Sequence, residues 1–433
     1  MKFGTDGVRG LALVDVTLVD AHRLARAVAQ VLPSTEVLIA RDTRESGPAY
    51  ADALTGGFAR AGVSVADLGV APTPALAYNC AELDVPGVMV SASHNPWHDN
   101  GLKVFSAGGR KLSDGQQEAI ERTLAELPGE QVDAVTPPHL DLALGQYADH
   151  VVASIDGRTL DGLAVVIDCG HGAASEVAPA VLERLGADLT VLNASPDGRN
   201  INDSCGSTDL TPLRQAVLAQ GAAAGLAFDG DADRVLAVDH RGVVVDGDGI
   251  IAIAAIDRND RGLLADGMVV ITIMSNLGFH RAMAAAGVDV TETPVGDRHV
   301  LDALDRNGWS LGGEQSGHVI FRDLATTGDG LLTGVQMLDI MGRRATSLAD
   351  LASVVERVPQ LLENLYVAGD AGAVLDAMAP DVESAVAELG ARGRVVVRAS
   401  GTEPLLRIMV EADEDDLARA VTDRLVRAAT AVG

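Results

Sequence analysis

The sequence predicts an α/β protein: three similar mixed-sheet α/β domains plus a small C-terminal α+β domain. Three observations carry this. Short apolar runs bounded by Gly and Pro alternate with Ala-rich helical stretches through most of the chain. Three of those runs end in polar loops of unusual composition, as expected if one fold were repeated three times. From about residue 364 the order changes to strands separated by helices, the pattern of an α+β unit. The expected divisions are 1–147, 148–250, 251–363 and 364–433.

The first domain opens its alternation with a strand over Glu36 to Ala40 and a polar loop, Arg41-Asp42-Thr43-Arg44. A helix over Pro48 to Ala61, a strand near Val63 to Leu68 and a short helix after Pro74 follow. Pro86-Gly87 then starts the apolar run Val88-Met89-Val90, read as a buried strand. Ser113 caps a helix reaching Leu127, and residues 130–139, with Pro137-Pro138, read as a surface connection. The second domain has a strand ending at Asp168, a helix from about Glu176 to Leu185 and a strand from Asp188 to Leu192. The strand Gly225 to Phe228 precedes a hairpin, Val235 to Asp239 and Val243 to Val245. In the third, Met268 to Met274 is a continuous apolar strand, with helices near 279–286 and 298–306 around a strand at 289–293. The last domain reads as strand, helix (Ala373 to Leu389), strand, loop, strand and helix (Asp415 to Ala429).

Composition narrows the function. The chain has 433 residues, 47% of them hydrophobic, so it can bury several cores and is not a disordered chain. A formal net charge of −28 without a basic tract excludes nucleic acid and anionic membranes as partners. An anionic substrate needs a local pocket of Arg and Lys. Cys80, Cys169 and Cys205 are widely spaced, which excludes a disulfide frame or a zinc cluster. No secretory signal and no apolar run near the roughly eighteen residues of a membrane span are present, so the expected location is the cytoplasm. Monomer and homodimer both remain open.

Each loop has a plain reading and a chemical one. Ser93, in Ser91-Ala92-Ser93-His94-Asn95-Pro96, is either a turn serine bonded to backbone or a nucleophile that carries a phosphoryl group. Asp229, Asp231 and Asp233 follow a buried strand at alternate positions. They are either an exposed Asp-Gly turn or a hard-cation site, because three ionised carboxylates require a cation between them. Oxygen ligands without His or Cys favour Mg²⁺ over zinc, and Arg234 is placed to meet a phosphate or an aspartate. Arg398-Ala399-Ser400-Gly401-Thr402, with Arg407, is either a solvent turn or an anion-binding loop.

Taken together, the segments FGTDGVRG (3–10), SASHNPWHDNGLKVF (91–105), FDGDADR (228–234), GGEQSGH (312–318) and RASGTEP (398–404) resemble the alpha-D-phosphohexomutase superfamily over nearly the full length. The opening segment and Gln315 are markers of its amino-sugar branch. The resemblance implies that the four domains are set around one central cleft, that Ser93 is a phosphoserine and that Asp229, Asp231, Asp233 and the Ser93 group hold Mg²⁺. It implies that Glu314 and Ser316 hold sugar hydroxyls, and that Arg9, Arg398, Ser400, Gly401, Thr402 and Arg407 bind substrate. His94 and Lys103 are candidates for moving protons at Ser93, and Arg234 for offsetting transition-state charge. The implied substrate is a phosphorylated amino sugar, passing through its 1,6-bisphosphate and feeding UDP-N-acetylglucosamine and cell-wall precursors. A mannose- or glucose-phosphate mutase, a metal-dependent sugar phosphatase and a sugar-phosphate binding protein are the alternatives. Trp97-His98, His299 and Ala399 depart from the family pattern.

Overall fold

A computed structural model describes residues 7–129, 132–367, 370–399 and 405–432. It resolves into two compact units, one formed by 1–272 with 291–353 and the other by 273–290 with 354–433.

The first unit is organised by three sheets of one pattern. In the first, β2 (Glu36–Arg41) lies between parallel neighbours β3 (Ser64–Val70) and β4 (Gly87–Val90). β5 (Asp99–Ser106) turns back antiparallel on β4, with β1 (Val8–Leu11) and the short β6 (Arg110–Lys111) paired to it. In the second, β7 (Ala164–Asp168) lies between parallel β8 (Asp188–Leu192) and β9 (Ala224–Phe228). β10 (Val235–Asp239) turns back on β9, followed by β11 (Val244–Val245). In the third, β12 (Met268–Thr272) separates β13 (Asp289–Thr293) from a parallel β14 (Leu311–Gly313), and β15 (Val319–Phe321) turns back on β14. Parallel pairing therefore gives way to antiparallel at β4, β9 and β14. The connection leaving each of those strands is one of the three polar loops singled out in the sequence. All four residues of β4 and all five of β9 are buried, as expected of strands covered on both faces.

Helix ends follow their capping chemistry. Ser113 forms the expected capping box with Gln116 at the start of the helix Asp114–Glu126, and Thr17 forms another with Asp20 before Leu18–Val31. Residues 132–139, expected as a surface connection, are laid along the first domain. The Val135 N–H bonds to the Asp52 carbonyl at 3.1 Å and the Asp67 N–H to the Pro138 carbonyl at 2.9 Å. Gly56 permits this close approach, since a Cβ there would meet the Asp133 carbonyl oxygen at 1.5 Å.

The second unit is an antiparallel sheet in the order β16 (Gln360–Tyr366), β18 (Leu405–Ala412), β17 (Gly393–Ala399). The single helix expected from Ala373 to Leu389 is two, Ala371–Ala377 and Ala379–Leu389, meeting at Met378. Pro380 explains the break, because its ring collides with the carbonyl four residues earlier and it has no N–H to give. Among the described residues, no helix is long and apolar enough to cross a membrane.

Candidate functional site

The Ser93 loop leaves β4 and is held from below. Ser93 is fully buried, with φ of +54°, and its hydroxyl donates to Asp229 Oδ2 at 2.6 Å. Ser91 is engaged elsewhere: its hydroxyl donates to Asp42 Oδ2 at 2.6 Å and accepts the Ser93 N–H at 2.9 Å. His94 Nδ1 lies 3.3 Å from Ser93 Oγ and 3.5 Å from an Arg234 guanidinium nitrogen. Partial desolvation, then the charges of Arg234 and Arg9, lower the His94 pKa to about 4. A neutral imidazole beside the hydroxyl can accept a proton. Arg9 sits on β1 opposite Gly101 of β5.

The loop after β9 brings the three aspartates together, with one carboxylate oxygen from each within 4.8 Å of the others. All three are buried. Burial and the charges of Asp233 and Asp231 push Asp229 well above the ordinary carboxylate range. Burial acts the same way on Asp233, but Lys103, His318 and Arg234 hold it below that range. Lys103 Nζ donates to Asp231 Oδ2 at 2.7 Å and to Asp233 Oδ2 at 3.3 Å. Asp231 Oδ1 and Asp233 Oδ1 are buried without a hydrogen-bond partner among the described residues. Two open carboxylate oxygens in a buried acidic trio fit a hard cation. Arg234 closes the loop, its N–H 3.3 Å from Asp229 Oδ1.

The loop after β14 alternates direction. Glu314 Oε1 accepts the Gly296 N–H at 3.0 Å, and Ser316 Oγ is buried with no hydrogen-bond partner among the described residues. Gln315, between them, turns its amide to Asp248 Oδ2 at 3.2 Å. The orphan Ser316 hydroxyl is the kind of group a ligand hydroxyl satisfies.

Some participants had no assigned role in the sequence reading. Thr73 opens the helix Thr73–Leu83 and bonds Asp231 through both its N–H, 2.9 Å from the Asp231 carbonyl, and its hydroxyl, on Oδ2. His318 accepts the Gly328 N–H on Nε2 at 3.1 Å and places Nδ1 3.7 Å from Asp233. Arg44 and Asn202 meet the Ser93 loop from below. A polar residue beside a turn signals none of these contacts.

In the second unit, Arg398 on β17 faces Arg407 on β18 directly across the ladder. Desolvation and the Arg407 charge depress the Arg398 pKa, and Arg407 Nε is buried without a hydrogen-bond partner among the described residues. Two facing guanidinium groups repel each other and call for an anion. Ser400, Gly401 and Thr402 lie outside the described residues.

A serine hydroxyl seated on a carboxylate trio with open oxygens is suited to metal-assisted phosphoryl transfer. Four stretches of the chain match the domains described as phosphoglucomutase/phosphomannomutase alpha/beta/alpha domain I (1–129), domain II (145–242), domain III (246–358) and C-terminal domain (345–428). The phosphoglucosamine mutase of Thermobifida fusca is 50% identical over 436 residues, covering 98% of this chain and 96% of that protein. A phosphoglucomutase/phosphomannomutase family structure from Burkholderia thailandensis shares the fold, with a TM-score of 0.82 and 24% identity over 99% of this chain and 97% of that one. So does Aspergillus fumigatus N-acetylphosphoglucosamine mutase, solved with GlcNAc-6P and magnesium, with a TM-score of 0.71 and 18% identity over 100% of this chain and 96% of that one. The chain belongs to the phosphoglucomutase/phosphomannomutase family of phosphohexomutases. Members of this class are isomerases that move a phosphoryl group within a sugar.

Proposed function

We propose that the chain interconverts glucosamine 6-phosphate and glucosamine 1-phosphate through phosphorylated Ser93 and the 1,6-bisphosphate, acting in the cytoplasm. The observation that carries this is full-length likeness to a phosphoglucosamine mutase together with the 2.6 Å seat of Ser93 on Asp229. In the proposed division of labour, 1–147 supplies the serine loop, 148–250 the aspartates, 251–363 the sugar contacts and 364–433 the distal phosphate site.

Phosphorylated Ser93 gives its phosphoryl group to O1 of the 6-phosphate, forming the bisphosphate. After the sugar turns end for end, the group on O6 is returned to Ser93 and the 1-phosphate leaves. Glu314 and Ser316 suit both orientations, because hydroxyls on the middle of the ring can be held either way round. Asp229, Asp231 and Asp233 would hold Mg²⁺, which when bound would supply positive charge against the phosphoryl oxygens. Arg234 adds a guanidinium beside it. Lys103 is engaged by two of the aspartates, whereas neutral His94 lies next to the serine oxygen, so His94 is assigned the proton.

Substrate choice is tested by kcat/KM on glucosamine 6-phosphate, mannose 6-phosphate and glucose 6-phosphate measured side by side. Glucosamine 6-phosphate is expected to be preferred; a preference of about tenfold for either other sugar, worth ~1.4 kcal/mol, would move the chain to another branch of the family.

Arg398 and Arg407 are assigned the phosphate that is not reacting. The Arg407→Ala variant is expected to lose about ten- to a hundredfold in kcat/KM, the value of one charge-assisted contact of ~1.5–3 kcal/mol. The loss should be alike from the 6-phosphate and the 1-phosphate, with phosphoserine content and Mg²⁺ affinity unchanged. A loss confined to one direction would mean separate phosphate sites for the two orientations.

A further inference from the structure

Three features near Ser93 have no part in the chemistry above: its left-handed backbone, the buried Arg44 guanidinium, and the segment 195–202 that follows β8. They form one assembly. Ser93, at φ +54°, occupies a region that residues with a Cβ rarely adopt, so something must hold it there. Its carbonyl accepts from Arg44 Nη2 at 3.0 Å and from Asn202 Nδ2 at 2.9 Å. The Asn95 carbonyl accepts from the same two groups, at 2.8 and 3.2 Å. Arg44 also donates to the carbonyls of Asp99, at 2.9 Å, and Pro96, and its Nε to Asp42 at 2.8 Å. Arg44 follows β2 in the first sheet's domain and Asn202 follows β8 in the second, so the loop is gripped by one donor from each of the first two repeats.

The segment carrying Asn202 is fastened on its outer side as well. The Glu45 N–H donates to the Gly198 carbonyl at 2.9 Å. Arg199 pairs with the Glu45 carboxylate, Nη2 to Oε1 at 3.0 Å, and its guanidinium carbon lies 5.2 Å from the centre of the Trp97 ring. Trp97 belongs to the serine loop itself. Gly198, at φ +93°, would bring a Cβ within 3.2 Å of the Glu45 side chain, so this crossing favours glycine.

We propose that Ser195–Asn202 is a strap that positions the phosphoserine loop, with Asn202 as its positioning residue. This rests on Ser93 being the phosphoryl carrier. A serine that receives and gives back a phosphoryl group must keep its oxygen in line with the acceptor in both states, and small displacements are costly in rate. When Ser93 carries the group, its negative oxygens crowd against the aspartates. Relaxation of the backbone to the right-handed region would swing Oγ away. The two donors on the Ser93 and Asn95 carbonyls oppose that swing. Arg44 is completely buried and its loss endangers folding, whereas Asn202 is half-buried and can be changed alone.

The test uses the full chain and three variants. Asn202→Ala removes the donor. Asn202→Asp keeps the shape but turns an oxygen toward two carbonyls, so it separates hydrogen bonding from packing. Arg199→Ala loosens only the outer fastening. Loss of the donor shared by the Ser93 and Asn95 carbonyls predicts a fall in kcat of about tenfold for Asn202→Ala, with a larger fall for Asn202→Asp and about two- to threefold for Arg199→Ala. KM for glucosamine 6-phosphate should stay within about twofold, a split expected when only the reacting group is misplaced. The ³¹P resonance of the phosphoserine should shift or broaden in both Asn202 variants, a change that general loosening elsewhere would not produce. Wild-type levels of kcat with an unmoved ³¹P resonance in both Asn202 variants overturn the strap while leaving the carrier in place. Intact mass showing no phosphate on Ser93 of the active wild type overturns the carrier, and the strap with it.

Discussion

Ser93→Ala is expected to abolish turnover, with a loss of about a thousandfold or more, because covalent catalysis has no path without the accepting oxygen. Within the loop 91–96 no spare hydroxyl is at hand. Ser91, two residues away, is committed to Asp42 and to the Ser93 N–H. Thr73 is committed to Asp231. A water molecule could at best drain phosphoryl groups from the bisphosphate, which is hydrolysis and not isomerisation. Initial rates should therefore reach background, and intact mass should show one phosphoryl group on the active wild type and none on the variant. Retention of a tenth of the wild-type rate would rule out Ser93 as the carrier.

Asp229→Asn is the second large effect. The variant keeps the shape of the trio and the seat of the Ser93 hydroxyl while removing one negative charge. Two carboxylates hold a hard cation poorly, so Mg²⁺ affinity and activity are expected to fall together, by about a hundredfold or more. Alanine at Asp231 or Asp233 should act alike but less cleanly, since each also pairs with Lys103. Calorimetric titration with Mg²⁺, alongside activity as a function of Mg²⁺, checks this. Variants at all three positions that respond to Mg²⁺ as the wild type does would place the metal elsewhere.

Legibility in the sequence divided along physical lines. The three loops could be read because each follows an apolar strand and carries residue types that a solvent turn has little reason to combine. Alternation between strand and helix could be read because most helices have one apolar face. The helices Gly247–Asp260 and Gly330–Arg344 could not be placed in that way. Both are buried nearly all round, so apolar residues run through them, as in Ile250-Ile251-Ala252-Ile253, without a helical stripe. Arg44 was legible only as part of a polar loop. Its burial beneath Ser93, and the arrival of Asn202 beside it, join residues 44, 93 and 202 through tertiary contact, which local pattern does not encode. The break at Met378 was available from Pro380, one position into the second helix, and was overridden by the apolar periodicity on either side of it.

The switch from parallel to antiparallel pairing at β4, β9 and β14 has a mechanical consequence. Each of the three loops is tethered at both ends to neighbouring strands already laced into the same sheet. Such a tether suppresses the slow opening that lids and long excursions require, and leaves only fast, small-amplitude libration. Amides in β4, β9 and β14 should accordingly be among the last to exchange with deuterium. If the serine, the aspartates and the Glu314 loop stand still on this timescale, none of them can follow a sugar through a half-turn. On the proposed mechanism the tumbling then falls to the bisphosphate itself, which must let go of the Glu314 loop and take hold of it again once in every catalytic cycle.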